Sequence, residues 1–161
     1  MTELQLADVT GSEQLGAALA RSIPWSAGRA LTLFLTGELG TGKTTVARGL
    51  LRALGVEDVV RSPSYTLVES YEPAGYRVLH LDLYRLGEAA DLETLGLRDE
   101  LEEGVLLLVE WPERAPSMLP VPDLRVSLRV AGEGRIARLE SCTDVGAGWL
   151  SSSAPGQKRE N

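Results

Sequence analysis

The sequence predicts an α/β fold of three layers, with a mixed, mostly parallel central sheet between helices and with β-hairpins attached. Three observations carry that reading. Ala30–Thr36 (ALTLFLT) and Val105–Val109 (VLLLV) are short, nearly continuous apolar runs, as expected of strands buried on both faces. The first leads through a glycine-rich turn into a strong helical pattern, Thr44–Leu54. Two pairs of alternating runs, separated by turn residues, read as hairpins.

The elements follow in order. Glu3–Ala7 alternates apolar and polar residues, which suits a short strand. Ser12 to Ile23 places Leu15, Ala18, Leu19 and Ile23 at helical spacing, with Ser12 as the expected N-cap. The helix over Thr44–Leu54 is stopped by Gly55. A loop with Pro63 precedes two strand-like runs, Tyr65–Tyr71 and Tyr76–Leu83, joined by Glu72-Pro73-Ala74-Gly75. Glu88–Leu95 and Leu97–Glu103 read as short acidic helices. Asp123–Val130 and Ile136–Ser141 flank a turn around Gly132 and Gly134 and form the second hairpin. The stretch 151–161 (SSSAPGQKREN) is small and polar without apolar periodicity and reads as a disordered tail, leaving one domain over 1–150.

Composition narrows the function. A chain of 161 residues suffices for one core. No apolar run approaches the ~20 residues of a membrane-spanning helix, and the first residues are acidic where a signal peptide is basic. A single cysteine, Cys142, rules out an internal disulfide and suits the cytoplasm. With one His and one Cys, a protein zinc site is not expected. The net charge of −7 argues against binding nucleic acid through a broadly basic surface. Lys43 and Lys158 are the only lysines, and Lys158 lies in the polar tail, so Lys43 is the one lysine in the body of the chain.

That lysine lies in Gly37-Glu38-Leu39-Gly40-Thr41-Gly42-Lys43-Thr44, which fits the phosphate-binding P-loop pattern G-x-x-x-x-G-K-[ST]. A polyphosphate needs several donors converging without steric obstruction. Gly40 and Gly42 allow backbone N–H groups to approach closely, and the helix that opens at the loop adds its free N-terminal amides. Lys43 can reach the β and γ phosphates, and the Thr44 hydroxyl can coordinate Mg²⁺. A strand before the loop and a helix after it supply the context that the motif requires.

Other residues complete a candidate site. Glu110 ends the apolar run Leu106–Val109, where an acid holding Mg²⁺ or its waters is expected. Asp82 ends a second strand-like run and reads as a partner of the metal or of water, with an ion pair to Arg85 as the alternative. His80 is the one histidine, and its place in a strand favours a structural role over a catalytic one. The loop Arg61-Ser62-Pro63-Ser64-Tyr65-Thr66 precedes a strand as a γ-phosphate-sensing switch would, and its hydroxyls either reach the nucleotide or close a plain Ser-Pro turn. Trp111 covers the phosphates, contacts a partner or packs in the core. The one asparagine is Asn161, so no Asn-Lys-x-Asp guanine reader exists and ATP is favoured over GTP.

Taken together, GELGTGKTT, RSPSYTLVESY, HLDLYRL, LGLRDEL, LLLVEWPE and a late Gly-Arg pair resemble the TsaE ATPases of bacteria in order and approximate spacing. The resemblance covers about residues 8–140 and implies a P-loop NTPase-like fold. It further implies a cytoplasmic protein that binds ATP and Mg²⁺ and hydrolyses ATP weakly alone. Its role would be threonylcarbamoyladenosine formation next to the tRNA anticodon, with TsaB and TsaD as partners, tRNA contacted indirectly and no membrane involved. Carried over, Leu39, Gly40, Thr41, Gly42, Lys43, Thr44 and Thr45 bind the phosphates. Thr44 and Glu110 hold the metal, and Lys43, Asp82 and Glu110 act in catalysis. Ser64, Trp111, Val9, Ser12, Gly134 and Arg135 border the nucleotide. Ser64 stands where the family has Thr, and Ser12 likewise, both keeping a hydroxyl. A small-molecule kinase on a P-loop core and a non-catalytic nucleotide sensor are the competing readings. The acidic segment 88–103, with seven Asp or Glu and one Arg, is either a partner surface or a solvated helical face.

Overall fold

The computed structural model describes residues 1–63, 65–88, 90–93 and 95–153. Its centre is a seven-stranded sheet. The strands are β1 (Thr2–Leu6), β2 (Leu31–Thr36), β3 (Val68–Tyr71), β4 (Arg77–Asp82), β5 (Val105–Glu110), β6 (Leu124–Ala131) and β7 (Gly134–Ser141). They lie in the order β1-β7-β6-β2-β5-β4-β3. The four central strands, β6, β2, β5 and β4, are parallel, and the edges are closed by antiparallel pairs. The parallel character thus belongs to the centre of the sheet, where β5 is buried along its whole length and β2 along all but its last residue. Both expected hairpins form: β3 with β4, and β6 with β7.

Helices α1 (Val9–Arg21), α2 (Lys43–Ala53) and α5 (Asp144–Ser153) pack on one face of the sheet. The core there joins Leu19, Leu50, Leu33, Leu108 and Trp149, all essentially without exposure. On the other face, the short helices α3 (Ala90–Glu93) and α4 (Leu97–Glu100) lay Leu92 and Leu97 over Leu79, Leu107 and Val109. Both are shorter than the apolar spacing suggested. Leu92 and Leu97 are used up in this core, so the acidic segment turns mainly its charged residues outward.

Three further local outcomes, all in α1 and α5, differ from the sequence reading. Helix α1 starts four residues earlier than a Ser12 cap implies. Its N-cap is Asp8, whose carboxylate accepts from the Gly11 N–H at 2.9 Å, and Ser12 is buried inside the first turn. Asp8 wins because it is the residue with extended backbone (φ −157°) directly before the turn, and a carboxylate there also favours the helix dipole. Helix α5 was not anticipated, because Gly146, Gly148 and three serines weaken the helical pattern. It forms because Trp149 is buried against α1 and donates its indole N–H to the Leu19 carbonyl at 3.0 Å. Finally, α5 runs to Ser153, three residues into the stretch read as a tail, and residues 154–161 lie outside the described set.

The layer that carries the glycine loop is held by a close crossing of α1 and α2. A Cβ on Gly16 would lie 2.1 Å from the Val46 carbonyl oxygen, and one on Gly49 would lie 2.1 Å from the Glu13 carbonyl oxygen. Only a hydrogen fits at either point, so the backbones touch directly and α1 is drawn over the start of α2.

At the opposite end of β2, buried Asp123 ties three elements together. Its carboxylate accepts from the Thr32 N–H (2.9 Å), the Thr143 hydroxyl (2.7 Å) and Arg29 (2.6 and 3.2 Å). Burial pushes this carboxyl upward, but those hydrogen bonds and the Arg29 charge hold it below the usual carboxylate range. Among the described residues no helix is long and apolar enough to cross a membrane.

Candidate functional site

The loop Gly37–Lys43 leaves the carboxyl end of β2 and turns into α2. Open α/β sheets place their ligand crevices at such strand ends. Gly40 and Gly42 take φ of +80° and +101°, the left-handed region where glycine carries no steric penalty. Gly42 is the N-cap of α2 and offers no side chain to the first turn, so the leading amides of the helix keep their donors for an occupant.

Lys43 is 5% exposed and lies across the loop. Its ammonium donates to the carbonyls of Gly37 (2.6 Å) and Glu38 (2.8 Å) and sits 4.2 Å from the centre of the Trp111 ring. Burial lowers its pKa, and the nearby carboxylates of Glu110, Glu113, Asp82 and Glu38 oppose that shift only in part. A desolvated ammonium held mostly by carbonyl dipoles gains more from an entering anion than a hydrated one would.

Strand register sets the acids. Asp82 and Glu110 are direct Cα partners at the carboxyl ends of the adjacent parallel strands β4 and β5. Both are buried, at 5% and 2% exposure. The Thr44 hydroxyl donates to Glu110 Oε1 at 2.8 Å. Glu110 Oε2 is met by His80 Nε2 at 2.6 Å. Asp82 accepts from the Ser62 hydroxyl and, at 2.9 Å, from the Tyr84 N–H. Its alternative partner, Arg85, instead stacks over the Tyr65 ring at 4.5 Å. Trp111 has φ +59° and ψ +48°, a conformation that strains a bulky residue and that proteins keep mainly at functional sites. Its ring lies 4.9 Å from that of Tyr84 and packs against the second core while also lining the first cleft.

Two clefts flank the loop. The first, of about 510 Å³, is lined by Lys43, Thr44, Asp82, Glu110 and Trp111, with Leu39, Ser62, Tyr84 and Arg85 also in its wall. The second, of about 420 Å³, runs between the start of α1 and the β6–β7 turn, past Val9, Ser12, Gly134 and Arg135. Gly40, Gly42 and Thr45 border both clefts. Arg135 reaches across to donate to the Gly40 carbonyl at 3.2 Å.

Nearly every expected site residue therefore lies on one of two continuous openings. Thr41 borders only the second cleft, and both its hydroxyl (2.9 Å) and its backbone N–H (3.3 Å) donate to the Glu38 carbonyl. Ser64 lies outside the described residues. The sequence reading did not single out Tyr84 for the first cleft, or Asp8 and Glu133 for the second. Tyr84 follows Asp82 by two residues and was within reach of motif reasoning; Asp8 was hidden by the choice of Ser12 as cap.

The donor set can be weighed against a divalent ion. No group of three or more His, Cys, Asp or Glu side chains clusters among the described residues, so an all-protein cage is not present there. The one hydroxyl and two carboxylates that line the first cleft are hard oxygen donors. They fit Mg²⁺, which commonly takes one or two protein carboxylates and completes its shell with water and substrate phosphate.

The family model described as threonylcarbamoyl adenosine biosynthesis protein TsaE matches residues 6–138. A tRNA threonylcarbamoyladenosine biosynthesis protein TsaE from Haemophilus influenzae is 39% identical over 124 residues, spanning 77% of this chain and 78% of its own. The TsaE protein from a Nostoc species is 35% identical over 140 residues, spanning 83% and 82%. The crystal structure of YdiB from Bacillus subtilis shares the fold at a TM-score of 0.75 and 21% identity, covering 94% of this chain and 93% of that one.

Proposed function

This chain belongs to the TsaE family, and on that premise we propose that it is an ATP-binding, Mg²⁺-dependent ATPase. Membership carries the broader role, a protein of tRNA threonylcarbamoyladenosine biosynthesis. The nucleotide chemistry is supported by one observation above all. Lys43, Thr44, Asp82 and Glu110 come from three separate elements and converge on a single cavity beside the uncapped start of α2.

In this reading the loop amides and Lys43 hold the β and γ phosphates. Lys43 exchanges its carbonyl partners for phosphate oxygens, which restores a full counter-charge to a buried cation. Thr44 and Glu110 hold Mg²⁺, with Asp82 assisting at the ion or its waters. The ion would neutralise developing charge on the phosphate oxygens. Water attacks the γ phosphorus, the bond to the ADP oxygen breaks, and ADP and phosphate leave. Asp82 aligns that water in this reading, a role supported by its carboxylate being oriented by the Ser62 hydroxyl and the Tyr84 amide. The second cleft, between Val9, Ser12 and Arg135, takes the nucleoside end.

Hydrolysis by the chain alone is weak and rises with the TsaB–TsaD pair. Contact with tRNA is indirect, in keeping with the net charge of −7. The test is phosphate release from ATP with the chain alone, with TsaB–TsaD, and with TsaB–TsaD plus tRNA. Stimulation by the protein pair is expected. Turnover that responds only to a small-molecule phosphate acceptor would replace this reading with a kinase.

A further inference from the structure

His80 has no exposed surface and sits on β4, two residues before Asp82 and on the same face of the sheet. Its Nε2 lies 2.6 Å from Glu110 Oε2. Its Nδ1 is equally buried and meets no hydrogen-bond partner among the described residues. A neutral imidazole has one N–H to place. Donating it from Nε2 to a carboxylate forms a charge-assisted bond, whereas placing it at Nδ1 would bury an unmatched donor. The carboxylate is then held at both ends: Oε2 by His80 from below and Oε1 by the Thr44 hydroxyl at 2.8 Å.

We infer that His80 is a positioning residue for the metal-binding carboxylate. By fixing Oε2 of Glu110 it turns Oε1 toward Thr44, so that the two proposed Mg²⁺ ligands face each other before any nucleotide arrives. The inference rests on the ATP–Mg²⁺ reading of the site. A buried glutamate with one oxygen unpinned would sample several rotamers and lose a ligand oxygen's alignment. Outer partners of this kind, when removed, lower metal affinity by roughly 10–100-fold. An apolar isostere would fill the same space without providing the N–H. That separates positioning from packing.

The experiment has two arms on the full chain. First, ¹⁵N-edited NMR of the ligand-free protein reads a single imidazole, since His80 is the one histidine. The expected signature is the Nε2–H tautomer with an exchange-protected proton; an Nδ1–H tautomer or a freely exchanging ring overturns the proposal. Second, Mg²⁺ affinity in the presence of saturating ADP is measured by calorimetry for wild type, His80→Gln and His80→Leu. Glutamine carries an amide N–H near the position of Nε2, so it should stay within about threefold of wild type, and leucine should lose about tenfold or more. Equal affinity in the leucine variant, or equal losses in both variants, overturns the proposal. If the wild type itself binds no Mg²⁺–ADP, the nucleotide reading fails instead, and the NMR arm still decides whether His80 holds Glu110. Should the leucine variant not fold, the glutamine variant and the NMR arm decide.

Discussion

Gly49→Ala is the sharpest stability test of how the site is held. Alanine is normally the better helix residue by about 1 kcal/mol. Here its methyl would lie 2.1 Å from the Glu13 carbonyl oxygen and 2.7 Å from the Glu13 carbonyl carbon, both backbone atoms that no rotamer change can move. That is more than about 1 Å inside ordinary van der Waals contact, so α1 and α2 must separate. Overpacking of a well-filled core costs typically 1–3 kcal/mol, and a backbone obstacle belongs at the upper end. Set against the propensity gain, a net loss of about 2 kcal/mol is expected. For a chain of this size each kcal/mol shifts the melting temperature by roughly 2–4 °C, so Tm should fall by about 4–8 °C.

The matching control is Gly148→Ala in α5. A Cβ there meets nothing within 4 Å, so only the propensity term remains and the variant should gain stability, by up to about 1 kcal/mol. Circular-dichroism melts of both variants against wild type give the answer. Because α1 carries Val9 and Ser12 and α2 carries Lys43 and Thr44, Gly49→Ala should also weaken nucleotide binding, while Gly148→Ala should not. A Gly49→Ala variant as stable as wild type, or two variants that shift in the same direction, would refute the claim that direct backbone contact sets the crossing.

Three other perturbations test separate parts of the structure. Lys43→Ala should weaken ATP binding strongly, tenfold or more on the order of a lost charge-assisted contact, and unchanged affinity by calorimetry would contradict the role given to this ammonium. Glu110→Gln and Asp82→Asn should keep the fold and lower turnover with partner proteins present; normal hydrolysis by both would remove the two acids from the mechanism. Asp123→Ala should cost about 3 kcal/mol, roughly 1 kcal/mol for each of the three partners, Thr32, Thr143 and Arg29, that its carboxylate binds. The Asp123 carboxyl is held below its unfolded value, so its contribution is complete above about pH 4 and is lost as pH falls through the lowered folded value. Acid titration of stability should therefore be shallower below pH ~4 in the Asp123→Ala variant than in wild type, and parallel curves would argue against the assignment.

The sequence alone determined what short stretches of chain encode. The apolar runs that become β2 and β5, the helix after the glycine loop, and both hairpins were legible because period and turn chemistry are local properties. Lys43, Thr44, Asp82 and Glu110 were legible because each sits at a strand end or a helix start that the local pattern locates. Tertiary structure decided what depends on which strands become neighbours and in what register. His80 and Glu110 are thirty positions apart, and only the parallel alignment of β4 with β5 sets an imidazole against the carboxylate. Asp123 looked like the first residue of a strand, yet it gathers Arg29, Thr32 and Thr143 from distant segments. Gly16 and Gly49 carry no local signal beyond a weakened helix, yet they are the places where two backbones meet. Helix α5 is the clearest case: its glycines and serines give little local helical preference, and it forms because burying Trp149 against α1 outweighs that deficit, a free energy that exists only once α1 is in place.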